Sequence, residues 1–555
     1  MGTSTLLKNY YFIIGKQFGG RSEIMSWRTG NKGKLGLLPG KTKNVHCKNR
    51  ELFLLSTLLI LVSCLSGIVL YFMDIHSFLY FGDAVSHIVR AREFFDSQRP
   101  GFHNIGTVWL PLPHLFLIPL VAMDALFYSG IAGSVVGIPC LVGTSIVLFL
   151  IVRNITGSPR IALFSGCFFG LNPNVIYMAL TPMTELISIF LITLSGYLLL
   201  RWLQDDEEYR LWACAAIVAL ASLCRYEAWF LVPFISLVII VRRRFLWHRS
   251  DRRGVVRSLI IAALCWTGLA FWICWNKFEY GDPFKFAHWT YSVARGAAIG
   301  NEPQIPLDAF LIFGKALLFI FGPFILIIAS GVFFRSHLAH SKQIPRIILL
   351  LFFGLSAVFA LVAILAGFVQ VDQWRWNWRY VLTAGLFLSV AGGIGLSEFC
   401  YQVKSKITRG AVVVCLLAMP LVQIALPSVG VATFDDAKRS SSDETQFAIA
   451  LGEQLHQIYT GGSIALLTGF GQAQRIMISS GFPLKQFHII YNSTEEDILG
   501  SLQNSEYYIV IGKDRFPETE KYIDDWLSRK NELLIHYNIR CENSHFIFLE
   551  RKPVD

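Results

Sequence analysis

The chain is short of charge: Asp, Glu, Lys and Arg make up 16% of its 555 residues, well under the quarter usual in a soluble domain. Its eleven cysteines include no C-x-x-C and no paired spacing. Most of them (Cys64, Cys140, Cys167, Cys214, Cys265, Cys274, Cys415) fall inside apolar runs, where a thiol is a small core residue. Neither a disulfide framework nor a cysteine metal site is expected. No internal repeat and no low-complexity tract is present. The G-x-G of GFGQAQ (469–474) lacks the third glycine of a dinucleotide fingerprint, which argues against a nucleotide site there. The overall charge of +11 is no nucleic-acid footprint either. Residues 428–555 carry a net −6 and residues 1–427 a net +17, so the basic surplus sits where a membrane protein keeps its cytoplasmic loops.

Long apolar runs are plentiful. Hydrophobic residues make up 54% of the chain, and eleven runs are long enough, or nearly so, to cross a bilayer. They lie at 52–73, 131–152, 159–180, 184–202, 211–224, 227–241, 257–276, 308–334, 346–369, 379–399 and 409–427. The fold class is therefore a polytopic α-helical membrane protein. The first run begins too far in, and is too long, for a cleavable signal. Residues 109–127 form an ambiguous twelfth candidate, interrupted by three prolines and His114. Charge decides its fate. The tail 1–50 holds ten Lys/Arg and one acid, and RRRFLWHRSDRRGVVR (242–257) holds seven Arg, so both are expected to be cytoplasmic. Parity then closes only if 109–127 does not cross. The expectation is eleven spans in a plasma or inner membrane, with the N-terminus cytoplasmic and the C-terminus outside. Three parts follow: a basic tail (1–50), a membrane domain (51–427) with external loops 74–130 and 277–306, and an extracytoplasmic domain (428–555).

Beyond residue 428 the periodicity changes. ETQFAIALGEQLHQIY (444–459) predicts an amphipathic helix, and SIALLT (463–468), FHIIY (487–491), YYIVIG (507–512) and FIFLE (546–550) predict strands. Helical stretches are expected near 494–504 and 516–529. The alternation points to a small α/β layer domain.

The polar residues of the membrane part gather at what the loop charges make its outer side. Polar groups beside hydrocarbon are costly to keep, so their collection marks a site. Asp83, in the long loop FGDAVSHIVRAREFFDSQRPGFHNIGTVWLPLPH (81–114), is placed to act as a general base. His87 lies one helical turn on; with Asp83, and with Glu185 as a third, it leaves a divalent metal open, while orienting Asp83 or facing the loop is the commoner role. Arg92, Arg225, Arg375 and Arg379 are candidate anion clamps, because a guanidinium fork matches a phosphate; snorkelling from a span end is the ordinary alternative. Arg225 and Glu227 interrupt apolar sequence at a junction of two short runs. Arg375 and Arg379 sit among Trp374, Trp376, Trp378 and Tyr380, which read first as an interfacial belt. Loop 277–306 adds His288 and Trp289.

GDAVSHIVRAR…GTVWLPLPH, NPNVIYMALTPMTE, CRYEAW and YGDPFKFA, in this order, resemble the GT-C glycosyltransferases related to protein O-mannosyltransferases and aminoarabinose transferases. The resemblance covers roughly 50–400 and does not extend to the C-terminal domain. It implies a catalytic first external loop, with Asp83 as general base and Glu185 positioning donor or acceptor. Arg92 and Arg225 are carried over to phosphate binding. It also implies a polyprenyl-phosphate sugar as donor, a lipid, glycan or protein acceptor, and inversion at the sugar. The Asp-Ala-Val-Ser-His stretch departs from the aminoarabinose transferase pattern, which places a second acid beside the first. A transporter or flippase of lipid-linked glycans is the rival reading; it would favour related halves and polar groups at mid-membrane.

Overall fold

In the computed structural model, residues 50–106, 108–242, 252–288, 306–330, 343–366, 377–425, 430–441, 443–489, 506–513, 524, 527–528 and 530–552 are described. A helix or a pair of helices stands over each of the apolar runs, from Arg50–Met73 to Lys406–Ala425. Among the described residues six helices are long and apolar enough to cross a membrane, or seven if the bent pair Pro159–Gly170 and Pro173–Leu180 counts as one span. That pair bends by 58° where Asn172 caps the second helix ahead of Pro173, a residue that suits a first helical turn. A second break falls at Gly322, whose φ of +81° is a left-handed conformation that favours glycine, between Pro306–Phe321 and Pro323–Ser330.

The ambiguous segment 109–127 folds as two short helices, Leu112–Val121 and Asp124–Ser129. Ten residues of helix reach only about 15 Å, half the hydrocarbon thickness. The segment is tied at one end by Tyr226 Oη donating to the Val108 carbonyl (2.7 Å). Beyond its other end, Tyr128 Oη donates to the Phe482 carbonyl of the C-terminal domain (3.1 Å).

The C-terminal domain carries a five-stranded mixed sheet in the order β2-β1-β3-β5-β4. Its strands are β1 (Ser463–Leu467), β2 (Phe487–Ile489), β3 (Glu506–Gly512), β4 (Tyr537–Glu542) and β5 (Phe546–Arg551). The first three are parallel; β5 runs antiparallel to β3 and to β4. Alternation along β1 sends Ala465 and Leu467 to one core with Leu533 and Tyr537. Ile464 and Leu466 go to the other, with Leu451 and Ile476 of the helices Asp443–Ile458 and Phe470–Ser480. That second core runs on into Val85, Ile88 and Val89 of the first-loop helix Gly82–Glu93. The strand β4 is not among the expected ones: its one buried residue is followed by exposed positions and the half-buried Cys541, with no apolar alternation. The expected helix at 494–504 lies outside the described residues, as does most of 516–529.

Candidate active site

The helix Gly82–Glu93 carries Asp83 in its first turn. Asp83 does not cap that helix, since the cap position is Phe81. Its carboxylate turns to Arg379, whose Nη2 donates to Asp83 Oδ2 at 2.7 Å. Arg379 reaches on with Nε 3.5 Å from Glu185 Oε1 and Nη1 3.7 Å from Asp436 Oδ2. Glu185 opens the helix Glu185–Asp205, and its Oε1 also accepts from Arg225 Nη1 at 3.0 Å. Arg225 closes the chain with two bonds to Glu227 Oε1, from Nε (2.9 Å) and Nη2 (2.8 Å), and one to Thr184 Oγ1 (3.0 Å). The Tyr380 ring lies near both guanidiniums, 5.3 Å from Arg225 and 5.4 Å from Arg379. A ring face against a cation is attractive.

Four carboxylates thus surround two guanidiniums. Burying a charge is costly unless it is paired, and each of these has a partner. The members differ in exposure. The Glu185 side chain is 3% exposed and that of Arg379 8%, whereas Asp83 keeps 38%. Of the four carboxylates in the cluster, Asp83 is the most open to an incoming group. Glu185 Oε2 and Arg379 Nε are buried and have no hydrogen-bond partner among the described residues, so polar capacity remains inside the cluster.

The turn that carries Glu185 is set by close packing. A Cβ at Gly133 would come within 2.2 Å of Pro182 N, and one at Gly137 within 2.2 Å of the Ala179 carbonyl oxygen. Between them Ser134 Oγ donates to the Leu180 carbonyl at 2.6 Å. The helix Ala132–Thr156 is a cradle for LTPMTE because these residues are small.

His87 is buried and does not join the acids. Its Nδ1 lies 2.9 Å from Nε2 of His114, and His114 Nδ1 bonds the Ile105 carbonyl. A carbonyl only accepts, so His114 carries its proton on Nδ1 and accepts from His87 with Nε2. Burial, then the charges of Arg225 and Arg379, push His87 down to about 3, so it is neutral at ordinary pH. Trp109 meets its ring edge-on at 5.2 Å. Among the described residues no three His, Cys, Asp or Glu side chains gather so as to hold a metal ion, and the Asp83–His87–Glu185 set is not assembled as one.

Arg92 is not brought to the cluster. It bonds Asp96 (3.0 Å), Asp124 (2.7 Å) and the Val121 carbonyl (2.6 Å), and Asp96 in turn accepts from the Leu484 and Lys485 backbone. Its observed work is to lock the first loop to the C-terminal domain. Trp378 corrects the belt expectation for its part of that motif: it is buried, against Phe319 at 5.5 Å. Arg375, Trp374, Trp376 and Trp289 lie outside the described residues, as does the side chain of His288.

Some members were not anticipated. Asp436, in TFDDAKR just past the last apolar run, is 1% exposed and belongs with Asp83 and Glu185; its place at a span boundary was the available signal. Gln474 and Arg475, in the segment whose glycines argued against nucleotide binding, hold the Asp83 helix instead. Gln474 Oε1 accepts from Ser86 Oγ at 2.6 Å, and Arg475 donates to the Leu79 (3.2 Å) and Tyr80 (3.0 Å) carbonyls.

Comparison with known proteins bears on the fold. The family model described as dolichyl-phosphate-mannose-protein mannosyltransferase matches residues 115–270. No curated protein matches the chain by sequence. Among solved structures, the chain is similar to ArnT from Cupriavidus metallidurans bound to undecaprenyl phosphate. The TM-score is 0.55 at 12% identity, covering 88% of this chain and 97% of that one. The apo form of the same protein gives a TM-score of 0.50 at 11% identity, covering 89% and 98%.

Proposed function

We propose that this chain, a GT-C-type membrane glycosyltransferase, moves a sugar from a polyprenyl-phosphate donor to an acceptor hydroxyl on the extracytoplasmic face, inverting the anomeric centre. The observation that carries the reading is the linked cluster Asp83–Arg379–Glu185–Arg225–Glu227 under the first loop, with one partly open carboxylate at its edge. Asp83 takes the proton of the acceptor hydroxyl as that oxygen bonds to the anomeric carbon. The bond from that carbon to the phosphate oxygen breaks, and the lipid phosphate leaves with the electron pair. Arg379 holds Asp83 in place, and its Nε, which makes no hydrogen bond among the described residues, is a donor for the charge developing on the phosphate. Glu185, fixed by Arg225, orients sugar or acceptor hydroxyls.

Topology supports the outward-facing assignment. The site segments begin beyond the first span, and an even number of the eleven proposed spans separates each from the next. With a basic cytoplasmic tail, that puts the cluster and the C-terminal domain outside. A donor carried on a lipid suits such a site, and the ArnT structure is one with undecaprenyl phosphate bound. The transport reading is the weaker one: the ion pairs cluster where loops meet helix ends, and the family match is to transferases.

The test is a mass-spectrometric comparison of envelope glycans in the native host with and without the gene. A glycoform that disappears, and returns with the wild-type chain, supports transfer, and its mass defines the sugar. An unchanged glycan profile with a changed distribution of lipid-linked precursor across the membrane would favour transport instead.

A further inference from the structure

Between the first loop and the C-terminal domain lies a cavity of about 490 Å³, separate from the acid–arginine cluster in its lining residues. Its walls include Leu79, Val85, Ile449 and Ile478, and Glu453 also lines it. The wall's buried charged residue is Arg475, of which 7% is exposed, while Glu453 is exposed. That guanidinium is unlike every other buried arginine described above. Its acceptors are the Leu79 and Tyr80 carbonyls, which are neutral, and among the described residues it has no carboxylate partner. Burial alone lowers it, to about 10, so it remains a cation at neutral pH. A buried cation without a counter-ion is costly, and a guanidinium has N–H groups left over after two such bonds. An anion entering the cavity would supply the missing charge and pair with the fork that phosphate fits best.

We infer that this cavity is a second ligand site, with Arg475 binding the phosphate of a phosphate-monoester headgroup and the apolar wall taking the adjoining chain. This inference stands apart from the transferase reading and holds or fails without it.

The experiment is calorimetric titration of the full-length protein in maltoside micelles, which contain no phosphate. The probes are inorganic phosphate and dihexanoyl phosphatidate. Wild type is expected to bind both saturably, and the phosphatidate about ten-fold more tightly because of the apolar wall. Equal affinities would assign the site to free phosphate rather than to a lipid headgroup. Arg475→Gln is expected to weaken binding ten-fold or more, on the order of one charge-assisted pair. Because Arg475 also holds the Asp83 turn, two further variants leave that contact alone. Ile449→Trp fills the cavity and is expected to abolish binding. Glu453→Gln, at an exposed position, removes a repelling charge and is expected to tighten binding about three-fold, which misfolding would not produce. No saturable binding of either probe by wild type, or affinities unchanged in Ile449→Trp and Glu453→Gln, would overturn the assignment.

Discussion

Asp83 and Arg379 lie 296 positions apart in sequence, yet Oδ2 of the first accepts from Nη2 of the second at 2.7 Å. The pair joins the first loop to the entry of the helix Trp378–Gln402, and Arg379 also reaches Glu185 and Asp436. Arg379→Lys keeps a charge but has one nitrogen where the native fork has three. It should lower turnover about a hundred-fold, the size expected when a reacting group is misplaced by about 1 Å. The check is initial-rate transfer by purified protein in nanodiscs, with the melting temperature measured alongside.

The buried His87–His114 pair makes a pH prediction. His87 resists protonation until about pH 3, whereas an unfolded chain takes up that proton near 6.5. Between those values the unfolded state binds more protons, so stability falls as pH drops from about 6.5 toward 3 and is level above. His114 is shifted in the same direction, chiefly by burial, and adds to the slope. Melting temperatures recorded from pH 7.5 to 4.5 should show this fall, and His87→Gln should make it shallower.

The glycine cradle predicts an effect at a distance from any charge. Gly133→Ala sets a methyl against Pro182 N, an approach of 2.2 Å that forces the LTPMTE turn to move. Stability should fall by about 1–3 kcal/mol, as overpacking of a close interface costs. Transfer activity should fall further than that loss accounts for, because Glu185 shifts with the turn. A surface control such as Gly410→Ala, where a Cβ meets nothing within 4 Å, should leave activity unchanged.

Arg92 separates structure from catalysis. Arg92→Gln leaves Asp96 buried without its charge partner, and a stability loss of about 3 kcal/mol is expected. The KM for the lipid donor, measured on the folded fraction, should stay as in wild type. A raised KM with native stability would return Arg92 to the phosphate site.

Much of this was legible in the sequence, and the limits have physical reasons. Asp83, Glu185, Arg225, Glu227 and Arg379 stand out in the sequence because charges beside apolar runs are expensive, and the structure gathers all five. Their mutual pairing was not legible, since it depends on contacts between residues up to 296 positions apart. Arg92 resembles them in residue type, but Asp96 and Asp124, its partners, are ordinary loop acids in the sequence. His87 shares a helix face with Asp83 by spacing, yet its partner is His114, which sits in a proline-broken segment with no readable direction. The role of Gln474 and Arg475 was hidden because their helix docks on another domain's loop, a contact that periodicity within one segment does not encode.

Complementation with Asp83→Asn decides whether Asp83 is the base. Asparagine keeps the size of the side chain and an oxygen for Arg379, but it takes no proton. The variant, expressed at wild-type level and with a melting temperature within a few degrees of wild type, should fail to restore the missing glycoform in cells lacking the protein. Full restoration by Asp83→Asn would exclude Asp83 as the base and leave it a structural partner of Arg379.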